Sequence, residues 1–301
     1  MNTTAAITSI YEDDDILCIN KPAGMVVNRS ATTRLETVQD WSGTFLEKSG
    51  CFSLEKYNFQ NEKNNLSYQI PDDDAYADPV TIFKERVGIA HRLDKETSGI
   101  LLLAKHPAAL LACMAQFKER TVEKRYTALV HGIFAQKADT ISLPIDRSAY
   151  NRHRFSVSAS GRSAVTKYSV DEEFSLDAEA WVQALQQQFG WKQQEAERSL
   201  RLYQGLSLIS CYPKTGRTHQ IRVHCSYLQH PLVADELYLG RKRAKVDRVW
   251  CPRHFLHASS LSFLHPRTNK RIELEAPVPT DLAAAVKFVK SVSLPASQNK
   301  T

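Results

Sequence analysis

The chain has 301 residues, of which 43% are hydrophobic and 24% charged, so it can hold one large domain or two small ones around a substantial core. No uninterrupted apolar run approaches the roughly 20 residues that cross a bilayer, and the first residues lack the basic-then-apolar order of a secretory signal. We therefore expect a cytoplasmic protein without a membrane span, whose six cysteines stay reduced.

The first part of the chain predicts a strand, an acidic turn and a second strand. The acidic turn occupies 13–15, a turn with Pro and Gly occupies 21–24, and apolar residues at 25–27 predict that the strand resumes there. Residues 30–86 are polar and weakly periodic, apart from a predicted helix over 37–46. This stretch predicts a long surface insertion.

A mostly polar run over 91–99 reads His-Arg-Leu-Asp-Lys-Glu-Thr-Ser-Gly and lies between two apolar segments, 87–90 and 100–104. The second of these segments is too short for a membrane span and predicts a buried strand. A charged loop held between buried segments suits a catalytic site. The same residue types are common in surface turns, however, and composition alone favours a turn.

The rest of the chain alternates strands with scattered helices. We predict strands over 124–132, 139–145, 161–170, 202–211 and 255–263, and helices from 107, within 175–200, over 219–228 and over 281–292. Many strands with few βαβ units predict an α+β fold with a largely antiparallel sheet. We predict one domain over 1–292, with insertions at 30–86 and 175–200, and a flexible tail over 293–301.

Basic residues are concentrated between 212 and 254, where nine Lys or Arg residues stand against three acidic ones. The basic residues are Lys214, Arg217, Arg222, Arg241, Lys242, Arg243, Lys245, Arg248 and Arg253. A local positive excess favours a polyanionic partner such as nucleic acid, although a solvated basic face has the same composition. Within this segment a Gly-Arg-Thr turn at 216–218 precedes a helix, and free N–H groups at such a helix start suit a phosphate or a carboxylate.

Two other functions, a zinc site and a kinase catalytic loop, have weaker support in the sequence. Cys251, His254 and His257 lack the second pair of ligands that zinc sites have, so we predict no metal site. The His-Arg-Leu-Asp sequence is similar to a kinase catalytic loop, but Leu93 interrupts that motif, and a glycine-rich loop and an Asp-Phe-Gly motif are missing. We predict no nucleotide cofactor.

Several spaced motifs, taken in order, resemble those of the RluA family of RNA pseudouridine synthases. They are Asp15-Ile16-Leu17 with Asn20-Lys21-Pro22-Ala23-Gly24, the loop 91–99, Lys124-Arg125-Tyr126 through Gly132, Gly161 through Thr166, Thr215 through His224, and Leu256-His257-Ala258. Agreement at all of them over most of the chain is specific. The resemblance implies a mixed, mainly antiparallel sheet, and conversion of a specific uridine in rRNA or tRNA to pseudouridine without cofactor or metal.

The resemblance also implies residue roles. Asp94 is then the essential aspartate, Tyr126 the active-site tyrosine and Arg222 the arginine that pairs with Asp94, while Leu256 belongs to the last active-site motif. A carboxylate suits the reaction as nucleophile towards the sugar or as base for its 2′ proton, and both remain open. Candidate contacts to RNA phosphates are His91, Arg92, Arg152, Arg154 and Arg217.

Many relatives carry a small RNA-binding domain, resembling the S4 fold, before the catalytic domain. Here the first catalytic motif begins near Asp15, so we expect no such domain. We expect a structured RNA partner, no membrane partner, and a monomer. A catalytically weak RNA-binding or RNA-chaperone protein on the same fold is the alternative; it predicts loss of Asp94, Tyr126 or Arg222, and all three are present.

We predict that RNA binding weakens as salt is added, because Lys and Arg side chains that contact phosphates release counterions. Fluorescence anisotropy with a labelled transcript across a salt series measures this slope. An affinity independent of salt would contradict a role for the basic segment 212–254 in RNA binding.

Overall fold

The computed structural model describes residues 6–30, 33–50, 61, 66 and 78–295. Most of the segment 51–77, within the predicted polar insertion, lies outside the described residues, as do residues 296–301 of the predicted tail. In chain order the described elements are β1 (Thr8–Glu12), β2 (Ile16–Lys21), α1 (Val38–Ser49), α2 (Pro79–Arg86), β3 (Ser98–Ala104), α3 (Pro107–Glu119), β4 (Glu123–His131), β5 (Ala138–Ser142), β6 (Ile145–Arg147), β7 (Phe155–Val157), β8 (Val165–Phe174), α4 (Ala178–Phe189), α5 (Gln193–Leu200), β9 (Leu206–Pro213), α6 (Gln220–Tyr227), α7 (Arg241–Asp247), β10 (Leu256–Leu264), β11 (Arg271–Glu275) and α8 (Thr280–Ser291).

The chain divides into two compact units, each formed by two separate stretches of sequence. The first unit comprises Met1–Lys124 and Ala258–Pro277, and the second comprises Arg125–His257 and Val278–Thr301. The chain passes from one unit to the other within β4 and again within β10. The single catalytic domain expected over 1–292 stays a prediction.

In the first unit β2 pairs antiparallel with β1 and β3, β10 is the next neighbour of β3, and β10 pairs antiparallel with β11. All seven residues of β3 are buried, which confirms the buried strand predicted after the polar loop. Its apolar side chains pack with β2 and α3 into one core, because a strand without exposed positions must be covered on both faces.

A polar cluster joins the β1–β2 turn to α3 and to the β10–β11 hairpin. Asp15 is only 3% exposed, and its carboxylate accepts hydrogen bonds from the Arg267 guanidinium at 2.6–3.1 Å and lies 2.8 Å from Nε2 of His106. The neighbouring Asp13 lies 2.8 Å from Nε2 of His265. Burial alone would raise the pKa of Asp15, but hydrogen bonds from His106 and Arg267 outweigh it and hold that pKa well below its usual range.

In the second unit the strand order is β4-β9-β8-β5, and all three pairings are antiparallel. The short hairpin β6–β7 pairs separately from them. Its strands flank a largely exposed tip over 148–154, which contains the predicted phosphate contacts Arg152 and Arg154. These pairings and those of the first unit confirm the predicted α+β class with a mainly antiparallel sheet.

The helical segment 175–200 forms α4 and α5, as predicted, and contributes to the core of the second unit. Trp181 is fully buried, and its Nε1 donates to Oγ of Ser199 at 2.9 Å, which ties the two helices together. Its ring also meets that of Phe288 on α8 edge to face, with 5.7 Å between the ring centroids. Whether the segment is an insertion in the family stays a prediction.

Two local predictions were wrong, and the elements α7 and β11 were missed. Residues 25–27 form no strand, because this segment instead supplies carbonyls to the start of α1, where N–H of Val38 donates to O of Val26. Residues 139–145 do not form one strand, because Pro144 separates β5 from β6. The helix α7 was read only as a basic run and β11 was not predicted, since both are short and highly charged.

At pH 7 we expect Asp15→Asn to lower the free energy of unfolding by about 2 kcal/mol, because it removes the charged acceptor of the hydrogen bonds from Arg267 and His106. Asp14→Asn is the matched control, since Asp14 is exposed. The native pKa of Asp15 lies below its unfolded value of about 3.9, so this stabilisation is complete above that pH and is lost as pH falls. Urea denaturation from pH 7 to pH 3 measures this, and a gap between Asp15→Asn and wild type that does not narrow on acidification would contradict the assignment.

Candidate active site

The polar loop 91–97 of the first unit is held by backbone contacts to the turn that follows β2. N–H of Gly24 donates to O of Lys95 at 2.8 Å, and N–H of Thr97 donates to O of Asp94 at 3.1 Å. The polar run is therefore a loop joined to a second segment, and its shape does not depend on its own residues alone. Asp94 is half-buried in this loop, while Arg92 and Lys95 are exposed.

Lys21 forms a second link between the two segments. Its side chain is fully buried, and Nζ donates to O of Pro22 at 2.7 Å, to O of Met25 at 2.9 Å and to O of Lys95 at 3.3 Å. A buried ammonium needs partners for its donors, and here they are backbone carbonyls on both sides of the contact. The motif containing Lys21 and the motif containing Asp94 are thus joined physically.

His91, the first residue of the polar loop, contacts both β3 and α3. N–H of Leu102 on β3 donates to its Nε2 at 3.0 Å, and its ring packs against Phe117 with 4.5 Å between ring centroids. Burial, with a smaller effect of the Lys124 charge, lowers the pKa of His91 to about 3, so the ring is neutral at pH 7. His91 therefore offers no positive charge to a phosphate, and its predicted RNA contact stays a prediction.

Gly99, the second residue of β3, stands at a position that only glycine can occupy. Its φ is +116°, and a Cβ there would lie 2.2 Å from the backbone O of Ala258. The close approach of β3 to β10 therefore requires glycine at this point. It also explains why a motif ending at Gly99 and a motif ending at Ala258 occur in one chain.

In the second unit Tyr126 lies on β4, opposite Cys211 of β9. It is half-buried and packs against an apolar cluster that includes Leu256 and Ile221. The structure therefore brings the predicted Tyr126 and Leu256 to the same cluster, next to the helix that carries Arg222. Asp94 belongs to the first unit, so its predicted pairing with Arg222 stays a prediction.

A buried network of neutral polar groups fixes the loop before α6. The side chain of Gln220 accepts at Oε1 from Oγ1 of Thr215 at 2.6 Å and from N–H of Arg217 at 3.0 Å. Its Nε2 donates to O of Val165 at 3.0 Å and to Oγ1 of Thr166 at 2.9 Å. All four bonds of one amide are made, which orders the loop without burying a charge.

His224, one turn further along α6, completes that network. Its Nδ1 lies 2.9 Å from Oγ1 of Thr166, and its Nε2 lies 3.0 Å from O of Leu143. Burial lowers the pKa of His224, so a neutral ring accepts from the Thr166 hydroxyl and donates to the carbonyl. The Gly161–Thr166 motif and the Thr215–His224 motif are therefore parts of one structure.

Arg222 is 7% exposed and makes a bidentate ion pair with Asp235. Its Nε donates to Oδ2 of Asp235 at 2.7 Å and its Nη2 donates to Oδ1 at 2.9 Å. Burial would raise the pKa of Asp235, but hydrogen bonds and charge from Arg222 outweigh it and hold that pKa below its usual range. Nearby His254 is buried and neutral, because burial and the Arg222 charge lower its pKa well below the usual range.

The same surroundings contain Tyr238, which the sequence analysis did not identify, as it did not identify Asp235. Cζ of Arg222 lies 5.0 Å from the centroid of the Tyr238 ring. A signal was available in the sequence, since Asp235 and Tyr238 stand three residues apart within an otherwise basic segment. Interpreting that signal required knowledge that Arg222 is buried, because only a buried guanidinium needs such partners.

The basic segment 212–254 has a smaller positive surface than its composition predicts. Several of its arginines bond internally: Arg217 to O of Ser163, Arg222 to Asp235, Arg243 to O of Leu202, Arg248 to O of Ala234 and Arg253 to Asp281. The exposed members are Lys214, Arg241, Lys242 and Lys245. A phosphate contact at Arg217 stays a prediction, because its Nε already donates to Ser163.

Among the described residues, Asp13, Asp15 and His265 place ligand atoms within 4.8 Å of one another, as a metal site requires. The donor set does not fit a cation, because the Arg267 guanidinium already occupies the Asp15 carboxylate. No helix in the described part of the chain is long and apolar enough to cross a membrane.

Comparison with known proteins decides the family. Residues 15–227 match the family described as RNA pseudouridylate synthase. The chain belongs to this family. It is an RNA pseudouridine synthase, an isomerase, as the resemblance in its motifs implied. The chain is 33% identical to an uncharacterized RNA pseudouridine synthase of Bacillus subtilis and 32% identical to ribosomal large subunit pseudouridine synthase D of Blochmanniella floridana; each alignment covers 93% of this chain and 72% of the relative.

Solved structures show the same fold for this synthase. Human RNA pseudouridylate synthase domain containing 1 aligns with a TM-score of 0.58 and 24% identity, over 95% of this chain and 89% of that one. Human RNA pseudouridylate synthase domain containing 4 aligns with a TM-score of 0.60 and 18% identity, over 94% and 92%. At these identities the likeness supports the fold alone.

We expect Asp235→Asn to lower the free energy of unfolding of the synthase by about 3 kcal/mol, because the buried Arg222 guanidinium then loses the carboxylate of its bidentate ion pair. Glu236→Gln is the matched control, since Glu236 pairs with Arg241 at an exposed site, where such a pair contributes about 0.5 kcal/mol. Urea denaturation at pH 7 measures both. Equal losses in the two variants would contradict the assignment of Asp235 as the essential counter-ion.

Proposed function

We propose that this synthase converts a specific uridine in structured ribosomal or transfer RNA to pseudouridine, with the Asp94 carboxylate as the reacting group. The observation that carries the proposal is the position of Asp94, half-buried in a loop that Lys21 joins to a second family motif. Several similar proteins are named for the ribosomal large subunit, which favours large-subunit ribosomal RNA as the first substrate to test.

The reaction needs no external reactant. The N1–C1′ bond of uridine breaks, the base turns, and a new bond forms between C5 and C1′; the proton leaves C5 and N1 gains one. A carboxylate assists bond cleavage either by attacking C1′ or by removing the 2′ proton of the sugar, and in both cases it must be ionised. An aspartate can therefore carry out this reaction without a cofactor. An arginine close to that aspartate would stabilise its ionised form.

We propose Arg222 as that arginine. Asp235 engages Nε and Nη2 of its guanidinium, which has five N–H donors in all, so a second carboxylate must use the others. A guanidinium already fixed by one carboxylate loses little further freedom when it meets another. The Asp235 pair therefore supports Arg222 as a preset charge for Asp94.

Tyr126 and the exposed basic residues complete the proposal. The target uracil cannot react within a base stack, so it must leave the stack, and an aromatic ring such as that of Tyr126 can receive it. The exposed Arg92 stands two residues before Asp94 and is suited to contact the RNA backbone beside the target nucleotide.

We expect Asp94→Asn to reduce pseudouridine formation by at least about 100-fold, because an amide neither attacks C1′ nor removes a proton at neutral pH. RNA affinity should stay within about threefold of wild type, since phosphate contacts dominate binding. The assay uses a large-subunit ribosomal RNA transcript labelled with tritium at C5 of uridine, because the C5 hydrogen is released when the new bond forms.

Glu96→Gln serves as the control, since it removes a carboxylate from the same loop. Activity of Asp94→Asn within about tenfold of wild type would exclude Asp94 as the reacting group. Wild-type protein that binds RNA but releases no tritium from ribosomal or transfer RNA would instead favour the RNA-binding alternative.

A further inference from the structure

Tyr238 contacts three separate parts of the second unit. Its ring centroid lies 5.0 Å from Cζ of Arg222 and 5.3 Å from Cζ of Arg154 at the tip of the β6–β7 hairpin. Its hydroxyl accepts from N–H of Phe155 at 3.0 Å and lies 2.9 Å from Nδ1 of His219, the residue before α6. One side chain thus joins the hairpin, the start of α6 and the buried arginine.

The backbone that carries Tyr238 is held firmly. Asp235 accepts at Oδ1 from N–H of Leu237 at 3.1 Å and from N–H of Tyr238 at 3.3 Å, so the carboxylate that binds Arg222 also orders the turn. Ala234, just before it, has a φ of +60°, which is costly for a residue other than glycine.

Asp247 supports this strained position. Its Oδ2 accepts from N–H of Ala234 at 2.7 Å and lies 2.8 Å from Nε2 of His131, while its Oδ1 accepts from the hydroxyl of Tyr203. Asp247 is fully buried, so these bonds are made away from solvent. The position of Tyr238 is therefore set by a rigid segment.

The orientation of a guanidinium requires two restraints, one within its plane and one against movement out of that plane. The bidentate contact with Asp235 holds Arg222 within its own plane, and Cζ lies over the face of the Tyr238 ring, a contact that opposes displacement of the guanidinium away from the ring. A small tilt would move the remaining N–H groups by a large fraction of a hydrogen-bond length, and reactions are sensitive to such displacements.

We propose that Tyr238 is a positioning residue for catalysis, whose ring holds the plane of Arg222 in the orientation that the reaction needs. This inference rests on the proposed function, in which Arg222 acts on Asp94. It assigns the effect to the ring of Tyr238, while the hydroxyl serves to connect the hairpin with His219.

The test compares Tyr238→Leu, which removes the ring, with Tyr238→Phe, which keeps it and removes the hydroxyl. We expect Tyr238→Leu to lower kcat about tenfold with KM for the tritiated ribosomal transcript within about threefold, and Tyr238→Phe to keep kcat within about threefold of wild type. Tyr227→Leu is the matched control, because Tyr227 lies at the exposed end of α6.

Thermal unfolding separates positioning from loss of fold. If Tyr238→Leu does not fold, Tyr238→Met takes its place, since the longer flexible side chain fills more of the ring volume without an aromatic face. Unchanged kcat in the folded variant without the ring, a change in KM alone, or an equal loss in Tyr238→Phe would each overturn the proposal.

Arg222→Lys shows through which residue Tyr238 acts, because an ammonium has no plane for the ring to hold. We expect Tyr238→Leu to cost less than about threefold in that background, measured by single turnover with enzyme in excess. Losses that multiply fully would overturn the proposal. Wild type that releases no tritium, or Arg222→Lys with wild-type kcat, would instead contradict the proposed function.

Discussion

The buried ion pair between Arg222 and Asp235 is the constraint on which the second unit depends. A guanidinium that is 7% exposed cannot remain charged in the interior without a counter-charge in good geometry. Asp235 supplies this counter-charge, and its carboxylate also accepts hydrogen bonds from N–H of Leu237 and Tyr238 in the same turn. The strained φ at Ala234 and its support by Asp247 follow from the need to bring Asp235 to that place.

Some loops of the molecule are ordered by neutral groups, in contrast to the charged contacts of Lys21 and Asp15. Gln220 and His224 hold the loop before α6 through bonds that involve no net charge, and His91 is neutral beneath the polar loop of the first unit. Neutral networks avoid the desolvation penalty of a buried ion, provided that every donor and acceptor has a partner.

The motif positions have structural reasons as well as chemical ones. Gly99 is required because β10 approaches too closely for any Cβ, and Lys21 is required because its donors join the turn after β2 to the polar loop. Thr166 and Thr215 are both needed to satisfy Gln220. Several motif residues are therefore needed to join and order segments of the backbone.

The sequence by itself determined the family, the fold class and most strands and helices, because periodicity and turn residues are local and the motifs are spaced along the chain. It also pointed to Asp94 as the carboxylate of the proposed reaction. It did not determine that Arg222 pairs with Asp235, that Tyr238 lies against that guanidinium, or that His91 is neutral. It likewise overstated the basic surface of the segment 212–254. Those properties depend on burial and on contacts between residues distant in sequence, and only the tertiary structure decides which charges are desolvated and which partners meet them.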